Sequence, residues 1–227
     1  MLETISWISL VIAFLCAMII GIDEFRHPQK MWIMNIVWPV TALYFSVLAV
    51  WAYYRIGRKM GHNTMQGMAA TPMGGRGDPS WEQTLVSATH CGAGCTLGDI
   101  IAEFSIMSLG LTLLGSPLYA EFAGDLLLAW LLGIAFQYFA IKPMHNLSAG
   151  DALTAAIKAD TLSILSFEVG LFAWMAVTYY VLFPAPHLMP NDPTYWLMMQ
   201  IGMVIGFFTS YPMNRWLILW GIKEVMD

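Results

Sequence analysis

Six apolar segments dominate this chain: residues 4–22, 32–54, 85–114, 122–141, 152–183 and 195–220. Each nearly meets or exceeds the ~20 residues that cross hydrocarbon at a helical rise of about 1.5 Å per residue. Hydrocarbon supplies no water to backbone N–H and C=O groups, so each segment must satisfy its own, and a helix does this. The expected fold is therefore all-α, a polytopic transmembrane helix bundle of about six spans. Residues 1–227 read as a single membrane domain, with 1–54 as the first two spans, 55–84 as a loop rich in Gly, Met and Pro, and 85–227 as a four-span core. Composition agrees, since only 11% of residues are charged, against roughly 25% in soluble domains. Ten Trp, nine Tyr and twelve Phe suit packing and interfacial aromatic belts. The segment MLETISWISLVIAFLCAMIIGIDEF lacks a positive leader and a small-residue exit, so it reads as a first span rather than a cleaved signal.

Basic residues set an expected orientation. Arg55, Arg58, Lys59 and Arg76 lie between the second and third segments, Lys142 and Lys158 near the start of the fifth, and Arg215 and Lys223 at the carboxyl end. With six crossings, only Arg26 and Lys30 fall on the other side. The positive-inside tendency then makes both termini cytoplasmic and turns the loop PAPHLMPNDPT outward. Ten Lys and Arg spread thinly over a chain of net charge −5 give no basic patch for nucleic acid. The partners expected are the lipid bilayer, a metal ion, and a second copy or a larger membrane complex. There is no Walker loop, dinucleotide fingerprint, His-Glu-x-x-His helix, Gly-x-Ser-x-Gly elbow or Cys-x-x-Cys-His haem site, which argues against ATP-driven pumping and covalent haem. An enzyme is less expected than a transporter or metal-handling protein.

The chemistry gathers in SATHCGAGCTLGDIIAEF. On a helix Cys91, Cys95, Asp99 and Glu103 form one stripe, each four residues after the last. Charged groups are costly in hydrocarbon, so the stripe should face a protein interior, a metal or a water path. Two sulfurs on adjacent turns can share Cu(I) or Zn(II). His90 is rotated ~100° from Cys91 and can join them only if the helix starts or bends here. Gly92, Gly94 and Gly98 allow such a bend; they also allow close helix contact. The alternatives to metal binding for this pair are a reversible disulfide or other thiol chemistry, and structural packing. Cys16, in an apolar run, reads as a small buried hydrophobe.

Asp99 and Glu103 repel if both are ionised, so a proton, cation or base should lie between them. The fifth segment supplies Asp160 and Glu168 on one face, with Lys158 nearby. The expected proton or cation path is Asp99, Glu103, Asp160 and Glu168, the competing reading being an internal ion-pair network. His62, Met65, Met68 and Met73 in the long loop, with Met144 and His145, are expected secondary metal ligands on the side of His90 and Cys91. Glu121, Asp125, Asp151 and Asp192 lie near segment ends and read as caps or solvated groups. Lys142-Pro143-Met144-His145-Asn146 echoes Tyr211-Pro212-Met213-Asn214-Arg215, either a trace of duplication or two helix ends that use Pro and Asn alike.

THCGAGCTLGD at 89–99, KPMHNLSAGDALTAAIKADTLSILSFEVG at 142–170 and YPMNRWLI at 211–218 together resemble the bacterial membrane-protein family called domain of unknown function 4396. The resemblance covers most of residues 80–225. It implies a polar membrane core and a multi-pass protein of the bacterial cytoplasmic (inner) membrane, and it carries no activity with it. The leading expectation is transport or handling of a soft transition-metal ion, Cu(I) ahead of Zn(II), with proton coupling. Cys91 and Cys95, with His90, would be the metal station. The alternatives are a membrane thiol or copper oxidoreductase, and a non-catalytic subunit of a membrane complex.

Overall fold

The structure, a computed structural model, describes residues 1–59, 78–145 and 148–224, the side chains of 143–145 excepted. The proposed ligands His62, Met65, Met68 and Met73 lie outside the described residues, as do Arg76, Asn146 and the side chains of Met144 and His145.

The described residues form helices α1 (Leu2–Arg26), α2 (Met34–Phe45), α3 (Val47–Ala52), α4 (Trp81–Leu109), α5 (Pro117–His145), α6 (Ala149–Val177) and α7 (Pro193–Leu219). α3 runs on as a π-helical turn over Tyr53–Gly57, and α6 over Thr178–Leu182. Among the described residues, three helices are long and apolar enough to cross a membrane: Leu2–Arg26, Pro117–Lys142 and Ala149–Leu182. α4 and α7 have comparable lengths, 29 and 27 residues. Their polar side chains explain the lower hydropathy, and those side chains are turned inward: Ser87, Thr89, His90, Thr96, Asp99 and Glu103 on α4, and Gln200, Ser210 and Asn214 on α7, are all buried. Lipid-type side chains face out instead, as with Ile5, Val11, Phe14 and Ile22 on α1.

α4 to α7 form an antiparallel, up-down-up-down bundle in which α4 packs mostly on α5, and α6 on α7. α4 starts cleanly because Ser80 and Gln83 form a reciprocal capping box, and it ends at Gly110, whose φ of 61° suits glycine. The α4–α5 seam is made of small residues. A Cβ on Gly94 would meet the Gly133 Cα at 2.7 Å, and one on Gly98 the Ala129 N at 2.3 Å. The glycines therefore serve close helix approach. α4 is one continuous α-helix through Gly92, Gly94 and Gly98.

The second apolar segment, expected as a single span over 32–54, is a helical hairpin. Ser46 adopts φ 49° and ψ −121° between α2 and α3, and the chain reverses. Trp38 on α2 stacks edge-on against Tyr53 at 5.8 Å, and a Cβ on Gly57 would strike the Trp38 ring. In a continuous helix Trp38 and Tyr53 would be ~22 Å apart. Hydropathy could not detect the reversal, because both arms are apolar and the turn uses an ordinary serine. The tip reaches mid-bundle: Gln200 Nε2 on α7 donates to Leu43 O at 2.7 Å, Phe45 packs edge-on against Phe207, and the Tyr44 hydroxyl approaches the Gly92 position of α4. Broken backbone at such depth is stable only when protein or a polar cavity surrounds it.

The hairpin changes which end the first segment occupies relative to the other four. Ser9 Oγ donates to Gln200 Oε1 at 2.7 Å, so α1 starts at the end where α7 starts. Its far end meets the base of the hairpin, where Tyr53 OH donates to Asp23 at 2.8 Å and Arg58 pairs with Asp23 at 3.5 Å. Arg26 and Lys30 therefore lie at the same end as Arg55, Arg58, Lys59, Lys142, Lys158, Arg215 and Lys223, where α4 and α6 begin and α5 and α7 finish. This is the basic end of the molecule.

Candidate functional site

Polar side chains follow α4 through the centre of the bundle in three groups. The first lies toward the basic end. Lys223, just beyond α7, is fully buried, and its ammonium donates to Asp160 Oδ1 at 2.5 Å and to Asn214 Oδ1 at 2.7 Å. Ser163 Oγ donates to the same Asn214 oxygen at 3.1 Å. Asp160 is thus tied to Lys223, a partner 63 residues away, while Lys158 is exposed. His90 faces this group electrostatically through Lys223 and packs against Phe136 of α5. Both its ring nitrogens are buried without a hydrogen-bond partner, as are both amide atoms of Gln137.

Because α4 does not bend, His90 keeps its rotation away from the cysteine stripe. Cys91 and Cys95 are buried free thiols in the second group, at mid-bundle. Tyr44, from the hairpin tip, neighbours both. Cys95 lies against Glu168 of α6, with Asp99 next. Cys91, Cys95, Asp99 and Glu103 are all buried along α4, and α4 meets α6 where Cys95 lies against Glu168. The second group comprises the two thiols, Asp99 and Glu168; among the described residues no group of three or more His, Cys, Asp and Glu side chains is arranged as a metal cage.

The third group lies toward the opposite end. Glu103 faces Asp125 of α5 and Tyr195 of α7, and Glu121 lies close to Glu103. Glu121 and Asp125, expected as caps or solvated residues, are instead buried, at 7% and 2% exposed. The helix α5 begins at Pro117, several residues before the apolar run at 122, so both carboxyls fall inside the helix and one turn apart on its inner face. Asp192 does cap, accepting from Thr194 N at 2.7 Å. Asp151 is an exposed first-turn residue bonded to Ser148.

Oxygens without a hydrogen-bond partner recur along the line: both of Asp99, both of Glu168, one each of Glu103, Asp125 and Asp160, and the hydroxyls of Tyr44 and Tyr195. Buried polar atoms are nearly always partnered. Water, protons or ions are what such atoms take up in a membrane interior. Of the four expected path residues, Asp99, Glu103 and Glu168 belong to this line and Asp160 to the Lys223 group. Sequence reasoning missed Lys223, Asn214 and Tyr195 as interior groups. An Asn in a Pro-Met-x-Asn element was visible, but a lysine outside every apolar run carried no signal of burial.

Residues 80–223 match the family described as Domain of unknown function (DUF4396). No curated protein matches the chain, and no solved structure does.

Proposed function

On the premise that the chain belongs to this family, whose description assigns no activity, we propose a proton-coupled membrane carrier for a soft transition-metal ion, Cu(I) ahead of Zn(II). One observation carries the reading: of two buried free thiols on adjacent turns, Cys95 meets a carboxyl from another helix, Glu168, at the depth where the hairpin ends in mid-bundle. Helices that stop inside the membrane beside polar groups are the usual architecture of substrate sites in secondary carriers. Thiolates select Cu(I) and Zn(II) over hard cations. The cargo would meet Cys91 and Cys95 with Glu168 as the neighbouring acid. Asp99, Glu103 and Asp125 then continue the line toward the opposite end. A contact between two carboxyls, such as Glu103 with Asp125, holds together through a shared proton or a cation. An open set of donors suits transport, which needs moderate affinity at successive stations rather than a closed trap.

The same reading sets topology. Five helices (α1, α4, α5, α6 and α7) cross a bacterial inner membrane, and α2–α3 enters and leaves on the basic side. All Lys and Arg among the described residues lie at that end, which makes it cytoplasmic. The two termini then lie on opposite sides, with residue 1 outside.

The test is metal retention followed by flux. Wild type and a Cys91→Ser/Cys95→Ser variant, purified without oxygen, are loaded with limiting Cu(I) or Zn(II) and washed with a weak chelator. Near-stoichiometric retention in wild type, lost in the variant, is expected. In vesicles the retained ion should cross with counter-movement of protons, and Glu168→Gln should slow both fluxes together. Equal retention in the two proteins, or none in either, overturns the metal reading. Metal flux with no proton flux overturns the coupling.

A further inference from the structure

We propose that Asp160, Asn214 and Ser163 form a binding site for a monovalent cation, and that the Lys223 ammonium occupies it as a tethered surrogate. Three oxygen-bearing side chains from two helices converge there. Asp160 and Ser163 come from α6 and Asn214 from α7. The amide of Asn214 is held in the orientation a cation needs, because its Nδ2 donates to Ser210 O at 2.9 Å, which turns Oδ1 toward the pocket. That oxygen receives both the ammonium and the Ser163 hydroxyl. Asp160 gives one oxygen to the ammonium and keeps the other, Oδ2, buried and without a partner. The arrangement is charge-matched, one carboxylate to one cation, with neutral oxygens completing the shell. Na⁺, K⁺ and NH₄⁺ all take this kind of oxygen set, and a lysine ammonium presents the same single charge.

The lysine is delivered by a short and separable piece of chain. α7 ends at Leu219, and Gly221 follows with φ 69°, a conformation that suits glycine. Ile222 N and Lys223 N both donate to one carbonyl, Leu217 O, at 3.0 and 3.1 Å. Trp220, Gly221 and Ile222 are exposed, so the buried part of this piece is the lysine side chain itself. The pocket belongs to the bundle and the charge to the strap. Removal of the strap would leave a buried carboxylate facing two oxygens with no counter-charge, a costly state that a small cation relieves. This site is distinct from the cysteine line, and its existence does not depend on transport of a metal.

The experiment is thermal unfolding of the full chain in detergent at constant ionic strength, in chloride salts of Na⁺, K⁺, NH₄⁺ or choline. Wild type should melt at the same temperature in all four. Lys223→Met should melt lower in choline and recover saturably with at least one small cation. Lys223→Met/Asp160→Asn should show no cation dependence. The proposal fails if Lys223→Met is indifferent to every cation, or if the double variant responds as the single one does. It also fails if Lys223→Met folds in none of the salts while the double variant folds, since the pocket would then accept only its own lysine.

Discussion

Gly98→Ala tests whether the α4–α5 seam is as tight as described. The added Cβ would stand 2.3 Å from Ala129 N and 2.6 Å from its Cα, about 1 Å short of the 3.4 Å at which ordinary contact begins. Both obstacles are main-chain atoms of a helix, so no rotamer change relieves them. α4 and α5 must separate along the most extensive helix interface of the molecule. Overpacking a close-packed interior costs about 1–3 kcal/mol. A backbone obstacle places Gly98→Ala at the upper end, about 3 kcal/mol. Gly21→Ala is the control, because nothing lies within 4 Å of its added Cβ. There the same substitution should stabilise by about 0.5–1 kcal/mol, through helix propensity alone. Reversible unfolding of purified protein in mixed micelles, followed by tryptophan fluorescence over a rising fraction of denaturing detergent, measures both. Opposite signs are expected. A Gly98→Ala protein as stable as wild type would refute the packing argument. It would also undermine the placement of Asp125 beside Glu103, which the same seam sets.

Three further outcomes follow from the hairpin. Ser46→Val should destabilise by about 1–2 kcal/mol, because a branched residue resists the positive φ of 49°, while Ser46→Gly should not; equal effects in the unfolding titration would rule out a reversal at Ser46. Gln200→Leu removes the amide that holds Leu43 O and accepts from Ser9, costing about 1–2 kcal/mol. It should also speed alkylation of Cys91 and Cys95 by a membrane-permeant maleimide, and unchanged labelling rates would detach the tip from the thiols. In a cysteine-free background, Leu114→Cys should react with a membrane-impermeant maleimide on intact cells and Lys59→Cys only after lysis. The reverse pattern would invert the proposed topology.

Much of the frame was legible from local properties. The length of an apolar run, its period and its punctuation are written in adjacent residues, so α1, α4, α5, α6 and α7 fall close to the segments read at 4–22, 85–114, 122–141, 152–183 and 195–220. The four-residue spacing from Cys91 to Glu103 put those side chains on one stripe by helix geometry alone, and the stripe is buried. The cost of charge in hydrocarbon told which way it would turn.

Partner choice between distant segments was beyond such reading. Lys158 stands two residues from Asp160 in sequence, yet Asp160 pairs with Lys223, because helix rotation sends Lys158 outward and the α6–α7 crossing brings the later lysine in. His90 is adjacent to Cys91 but separated from it by ~100° of rotation, and the continuity of α4 kept them apart. The segment at 32–54 has the length of a span; its reversal depends on one backbone conformation at Ser46 and on the packing of Trp38, Tyr53 and Gly57. Sequence alone determined that the chain is helical, apolar outside and acidic within, since these follow from each residue's own transfer cost and the helical period. Only the tertiary structure decided which acids meet, which lysine answers Asp160 and how deep the hairpin reaches, since these depend on how separate helices rotate and cross.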